Sequence, residues 1–211
     1  MRITLATMRT DIDLLQAWRA GDQRAGAELF ERYYDPLHRF FANKTSTDPS
    51  DLIQETFEAC VNKAERIEPD RFRGFVFGVA YNRLKKFYER ARTDGERLDY
   101  GTISSADLSP GASTMLAKSA EQRVLLEALR RIPVEHQLVL EMFYWENCTS
   151  AEIAQVLGEP HGTIRTRIRR ARTLLTEAMA EVTDDAALLS QTRSDLEGWA
   201  AKIREANVGA Q

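Results

Sequence analysis

Cysteine is almost missing from this chain of 211 residues, which carries only Cys60 and Cys148. Neither sits in a CxxC pair or a Cys/His cluster, so neither a disulfide framework nor a zinc site is suggested, and two buried, reduced thiols are expected. Histidine is as scarce. His38, His136 and His161 lie far apart without a nucleophile motif or paired carboxylate spacing, so no catalytic constellation is legible. The chain reads as a binding protein and not an enzyme, with no cofactor and no metal. Nowhere do about 18 apolar residues follow one another, and "MRITLATMRTDIDLL" has no sustained apolar run before Asp11, so no membrane insertion is expected and the location reads as cytoplasmic. Strict apolar/polar alternation is absent, which argues against a sheet. A dominant charge is absent as well. With 29 Lys and Arg against 32 Asp and Glu, the net charge is -3, and any attraction to nucleic acid must come from uneven placement.

What is present is apolar residues at helical spacing almost throughout, which predicts an all-α fold. A short helix ends near Gly21, and a second carries Ala27, Phe30, Tyr34, Leu37 and Phe41 three or four apart, with Pro36 expected to bend or interrupt it. "NKTSTDPS" reads as a turn. "DLIQETFEACVNKAERI" follows as a strong helix capped by Ser50 or Asp51, and "FVFGVAYNRLKKFYERARTD" as another that opens apolar and ends basic. From 95 to 119, Gly, Ser, Thr and Pro punctuation with weak periodicity predicts a flexible linker. Beyond it come four helices split at Pro133, at Asn147 to Cys148 and at Gly158 to His161. The expectation is two helical domains, 10–94 and 120–181, joined by the linker and followed by a tail at 182–211.

Charge is concentrated in "HGTIRTRIRRARTLL", which holds Arg165, Arg167, Arg169, Arg170 and Arg172 and no acid. Ile164, Ile168, Ala171 and Leu175 recur there at helical spacing, which turns the arginines mainly to the opposite, solvated face. The preceding "TSAEIAQVLG" supplies a capped helix whose Ile153, Ala154 and Leu157 point inward and a Gly at its end, the layout of a helix-turn-helix. Clustered guanidiniums repel one another unless a polyanion is present, and Arg pairs with phosphate or guanine edges in a bidentate fork. A second basic region spans Arg71 to Arg97, interleaved with Phe72, Tyr81, Phe87 and Tyr88, a composition suited to single-stranded DNA.

"LRRIPVEHQLVLEMFYWENCTSAEIAQVLGEPHGTIRTRIRRARTLL" resembles region 4 of extracytoplasmic-function (ECF) bacterial sigma factors. "DLIQETFEAC" resembles the DLVQETF helix of region 2 in the same family, and "FRGFVFGVAYNRLKKF" its promoter-melting segment. The resemblance runs from about residue 11 to 180. It implies that Asp51, Gln54, Glu55 and Glu58 dock on the beta-prime clamp helices of core RNA polymerase. It also implies that region 4 meets the beta flap and reads the minus-35 element through Thr163, Arg165, Thr166, Arg167, Arg169 and Arg170. Arg71, Phe72, Arg73, Asn82, Arg83, Lys85 and Lys86 are implied at the minus-10 element. Phe75, Val76, Tyr81 and Lys86 depart from the family's usual residues, which concerns base preference there.

The acidic run that often precedes the DLVQETF helix is thinned to "STDPSD". Phosphate on Thr45, Ser46, Thr47 or Ser50 would restore negative charge at a helix N-terminus, making a Ser/Thr kinase a candidate partner. In the tail, Leu189, Leu196, Trp199, Ala200 and Ile203 fit one apolar face, which would pack on the protein itself or bind an anti-sigma factor. Two other readings stay open on the sequence: a one-component helix-turn-helix regulator that binds duplex DNA without polymerase, and a sigma-like scaffold that sequesters an anti-sigma factor.

Overall fold

Local capping decides where the chain turns helical. In the computed structural model, which describes residues 9–91, 98–109, 119–185 and Gly198, Thr10 and Asp13 form a reciprocal capping box at the start of α1 (Asp11–Arg19). Asp22 caps α2 (Gln23–Ala42) by accepting from the amides of Arg24 and Ala25. α3 (Ser50–Val61) has no side-chain cap; Asp48 instead accepts from both the amide and the hydroxyl of Ser50, a correction to the cap expected at Ser50 or Asp51. After short 3₁₀ turns at Ala64–Arg66 and Pro69–Arg71 comes α4 (Phe72–Ala91). Arg92 and Arg97, and the apolar tail face from Leu189 to Ile203, lie outside the described residues.

α2 continues through Pro36 without interruption. An interior proline costs about 3 kcal/mol, but Leu37, Phe40 and Phe41 just beyond it are each at least 97% buried, and burial contributes about 1.5–3 kcal/mol per side chain. Burial wins and the helix continues. Its inner face is Leu29, Tyr33, Leu37, Phe40 and Phe41; Leu37 and Phe41 are buried as expected, but the first half of the face is one step round, with Tyr33 inside and Tyr34 44% exposed. α3 likewise buries Leu52, Ile53, Thr56 and Cys60 and leaves Val61 exposed. Thr56 is tolerated inside because its hydroxyl donates to the Leu52 carbonyl at 2.7 Å.

Residues 98–109, expected to be flexible linker, form an ordered strap. Tyr100 packs on Tyr81 and Tyr88 and donates to the Lys85 carbonyl, while its own carbonyl accepts from the Glu135 amide. Ser104 and Asp107 box the short α5 (Ser105–Leu108), and the Ser105 hydroxyl meets the Gln137 side chain at 3.0 Å. The strap leads to α6 (Ala120–Arg131) and α7 (Val134–Leu140), which passes into a π-helical turn at Glu141–Trp145. α8 (Ser150–Leu157) and α9 (His161–Val182) close the fold. α9 packs along α6, α7 and α8, while α8 also packs on α4. No β-strand occurs among the described residues, only an isolated bridge between Ser104 and Pro133.

Candidate nucleic-acid interface

Thr149 and Glu152 form the capping box that starts α8, and Gly158 ends it at φ 68°, a left-handed turn that glycine adopts without the penalty of a Cβ. α9 starts three residues later. Ile164, Ile168, Ala171 and Leu175 are buried against the rest of this unit, as their spacing predicts. The Ser150 hydroxyl and His161 Nε2, 2.8 Å apart, tie the first turns of α8 and α9 together. The unit is a helix-turn-helix with its second helix turned outward.

Thr163, Arg165, Thr166, Arg169, Arg170 and Arg172 stand exposed on that outer side. A groove between α9 and the preceding elements is lined by Phe143, Ser150, Gly162, Arg165, Thr166 and Arg169. Arg167 differs. Its guanidinium donates to both Glu159 oxygens at 2.6 and 2.8 Å, lies 3.3 Å from Glu135, and keeps only 17% of its side chain exposed. It braces the turn from inside, a correction to its place among the outward arginines. Burial and the positive charges of Arg167 and Arg170 hold the His136 pKa below the ordinary histidine value.

On α4 the implied minus-10 residues part company. Asn82 and Lys86 are exposed, whereas Arg83 lies 3.3 Å from Glu55 and Lys85 stacks over Tyr81 and Tyr100 at 5.0 and 5.8 Å. Arg71 pairs with Glu68 at 2.7 Å. Phe72 is 1% exposed and packs edge-to-face on Tyr33, so it is a core residue and not a base-facing one. Arg73 donates to the Glu146 carbonyl at 2.9 Å, across to the helix-turn-helix unit. Gly74 and Gly78 lie directly beneath Val156 of α8.

The α3 face holds Asp51, Gln54 and Glu58 exposed, the last two joined at 2.9 Å. Glu55 is partly withdrawn by its ion pairs with Arg83 and Arg90 of α4. At the turn before α3, Ser46, Thr47 and Ser50 are exposed, but Thr45 is 3% exposed and its hydroxyl donates to backbone carbonyls of Phe41 and Thr47. A kinase cannot reach it in this conformation, which removes it from the modifiable set. Among the described residues, no group of three His, Cys, Asp or Glu is placed to hold a metal ion, and no helix is long and apolar enough to cross a membrane.

Sequence reading missed the residues that join the two helical units. Lys44 lies fully buried with its ammonium 2.6 and 2.7 Å from the two carboxylate oxygens of Glu141, and Arg39 lies 3.7 Å from Glu146. Burial pushes Lys44 below and Glu141 above their ordinary pKa values, and the opposite charge of each partner works against that shift. A lysine in the turn and a glutamate between apolar residues gave no periodic signal of pairing.

Residues 122–175 match the family model described as Sigma-70, region 4. The chain is 27% identical over 170 residues to the ECF RNA polymerase sigma factor SigM of Mycobacterium tuberculosis, covering 79% of this chain and 83% of that protein. It is 24% identical over 183 residues to the ECF RNA polymerase sigma-E factor of Haemophilus influenzae, covering 81% and 96%. With the RpoE sigma factor of Cereibacter sphaeroides the figures are 26% over 179 residues, 82% and 97%. These alignments take in the α3 segment as well as the helix-turn-helix, and over most of its length the chain is similar to ECF RNA polymerase sigma factors.

Proposed function

We propose that this protein binds core RNA polymerase and directs promoter-specific initiation of transcription, acting as a cytoplasmic binding and melting protein and not as an enzyme. The observation that carries the reading is a helix-turn-helix whose outer face presents Thr163, Arg165, Thr166, Arg169 and Arg170 clear of internal partners, in a chain with no net positive charge. Bidentate Arg contacts to guanine edges supply discrimination at the minus-35 element, and the remaining basic groups track phosphate.

Region 2 corresponds to residues 10–94 and region 4 to 120–181. In region 2, Asp51, Gln54 and Glu58 offer an acidic, hydrogen-bonding face to the beta-prime clamp helices, and the helix-turn-helix unit meets the beta flap. Asn82, Lys86 and Arg71, with Arg73, Arg83 and Lys85 once their present partners release them, follow the backbone of the opened minus-10 strand. An anti-sigma factor is the expected regulator. A Ser/Thr kinase acting at Ser46, Thr47 or Ser50 would place charge at the α3 N-terminus.

Fluorescence anisotropy on promoter fragments tests this. Tight, sequence-specific binding is expected only when core polymerase is present. Equally tight binding by the chain alone, as a dimer, would identify a one-component regulator instead.

A further inference from the structure

α9 carries its exposed side chains in two rows, each bordering a cleft. Arg165, Arg169 and Arg172, spaced three and four residues apart, edge the groove shared with Phe143 and Ser150. Thr163, Thr166 and Arg170 form the other row. With Gly162 and Arg167 they edge a second cleft, whose far wall is His136 of α7. Among the described residues no carboxylate lines this second cleft. His136 is half-buried: its Nδ1 is enclosed without a hydrogen-bond partner, which leaves Nε2 as the ring nitrogen open to a ligand. A guanidinium, two hydroxyls and the first turn of α9, which has no side-chain cap, meet around one hollow, and this is the chemistry that binds phosphate. The cleft is open to solvent and suits a strand laid across it better than an ion enclosed within it.

We propose that this cleft seats a backbone phosphate of promoter DNA and that His136 is a DNA-contacting residue, which takes up a proton from solvent as the DNA binds. The inference rests on the sigma-factor reading above. An α-helix about 10–12 Å across fills a major groove about 12 Å wide, so a helix lying there has a phosphate strand along each flank. The Arg165 row then faces one strand and the His136 cleft the other.

In the free chain, burial and the facing charges of Arg167 and Arg170 keep the His136 ring neutral at pH 7. The other charged groups around α7 are engaged among themselves. Glu135 and Glu159 hold Arg167, α6 turns Arg131 to Glu127 and Glu181 and Arg130 to the Ser109 carbonyl, and Glu141 of the π-helical turn sits on Lys44. A phosphate entering the cleft supplies the missing negative charge and favours the imidazolium. Binding then consumes a proton, so affinity rises as pH falls, by at most about ten-fold per pH unit for one site. Fold stability runs the other way over the same range, since the unfolded chain takes up that proton first.

The test is fluorescence anisotropy of a labelled promoter fragment with holoenzyme assembled from core polymerase and the full chain, native or His136→Gln, in phosphate-free buffer at fixed ionic strength. The native-to-variant affinity ratio is expected to rise roughly three-fold or more between about pH 8 and about pH 6. At the lower pH the native complex should also show a salt slope steeper by about 0.9, the mark of one added cation on phosphate, which a purely structural role would not produce. A ratio that stays flat overturns the proposal. A ratio that moves only after inorganic phosphate is added assigns the cleft to a free anion and overturns it too. Should His136→Gln lose its helical circular dichroism, His136→Lys takes its place: its charge is fixed, so the ratio must still climb as pH falls, and a flat ratio refutes. If the fragment is bound equally tightly without polymerase, the sigma reading fails, and the same ratio measured on the chain alone still decides the role of His136.

Discussion

Replacing Arg167 with Ala separates bracing from reading within one helix. Its guanidinium makes two charge-assisted bonds to Glu159 at 2.6 and 2.8 Å with only 17% of the side chain exposed, against 30% for Glu159. Hydrogen bonds to charged groups contribute about 1.5–3 kcal/mol each, but the freed glutamates regain water at a partly exposed site, so the net loss is about 1–3 kcal/mol. At about 2–4 °C per kcal/mol for a chain of this size, Tm should fall by roughly 2–12 °C, read by far-UV circular dichroism. Arg165→Ala and Arg169→Ala remove exposed side chains and should change stability by no more than about 0.5 kcal/mol. Promoter affinity of their polymerase complexes should instead drop by about 1–3 kcal/mol, or roughly 5–150-fold, where a bidentate base contact is lost. If Arg167→Ala melts like the native protein and loses as much promoter affinity as Arg165→Ala, the brace is wrong and Arg167 reads DNA.

Cys60 and Cys148 are buried and their thiols are pushed up to about 12, so neither should react with a thiol reagent at pH 8 until the fold opens; stoichiometric modification of native protein would contradict this packing. The depressed His136 pKa means that the unfolded chain takes up the proton first. Stability present above about pH 6.5 is therefore lost as pH falls below it, and His136→Gln should flatten that part of a denaturant-midpoint profile. Asp13, Asp22 and Asp48 have lowered pKa values, so their contributions fade only as pH falls below about 4, leaving the histidine window separate. Thr45→Glu buries a carboxylate where a hydroxyl now donates to two carbonyls and should prevent folding or cost about 3 kcal/mol or more, whereas Ser50→Glu at the first residue of α3 should leave Tm unchanged or raise it slightly; equal stability of the two variants would show that Thr45 is not packed as described.

Periodicity made the helices and the inner face of α9 legible, because Ile164, Ile168 and Ala171 repeat among polar and charged residues and Leu175 continues the spacing. Along the first half of α2 the face lies one step from the one expected, because Tyr33 and Tyr34 are adjacent and either fits the spacing; packing on Phe72 selects Tyr33. Pro36 predicts a bend or an interruption on local chemistry alone, and the burial of Leu37, Phe40 and Phe41 outweighs the interruption. The ordered strap was illegible for a different reason: Tyr100 and Ser105 are held by Tyr88 and Gln137, partners distant in sequence and without any repeat to flag them. Glu159, eight residues before Arg167, was the available hint that one arginine of the basic run faces inward.

Run-off transcription tests the central claim most directly, using purified bacterial core RNA polymerase and a fragmented genomic library read by sequencing, with and without this chain. New start sites sharing upstream bases near positions 10 and 35 are the expected result, and Arg165→Ala should blur the upstream set alone. No new start sites, despite retained DNA binding by the chain itself, would contradict a role as a sigma factor.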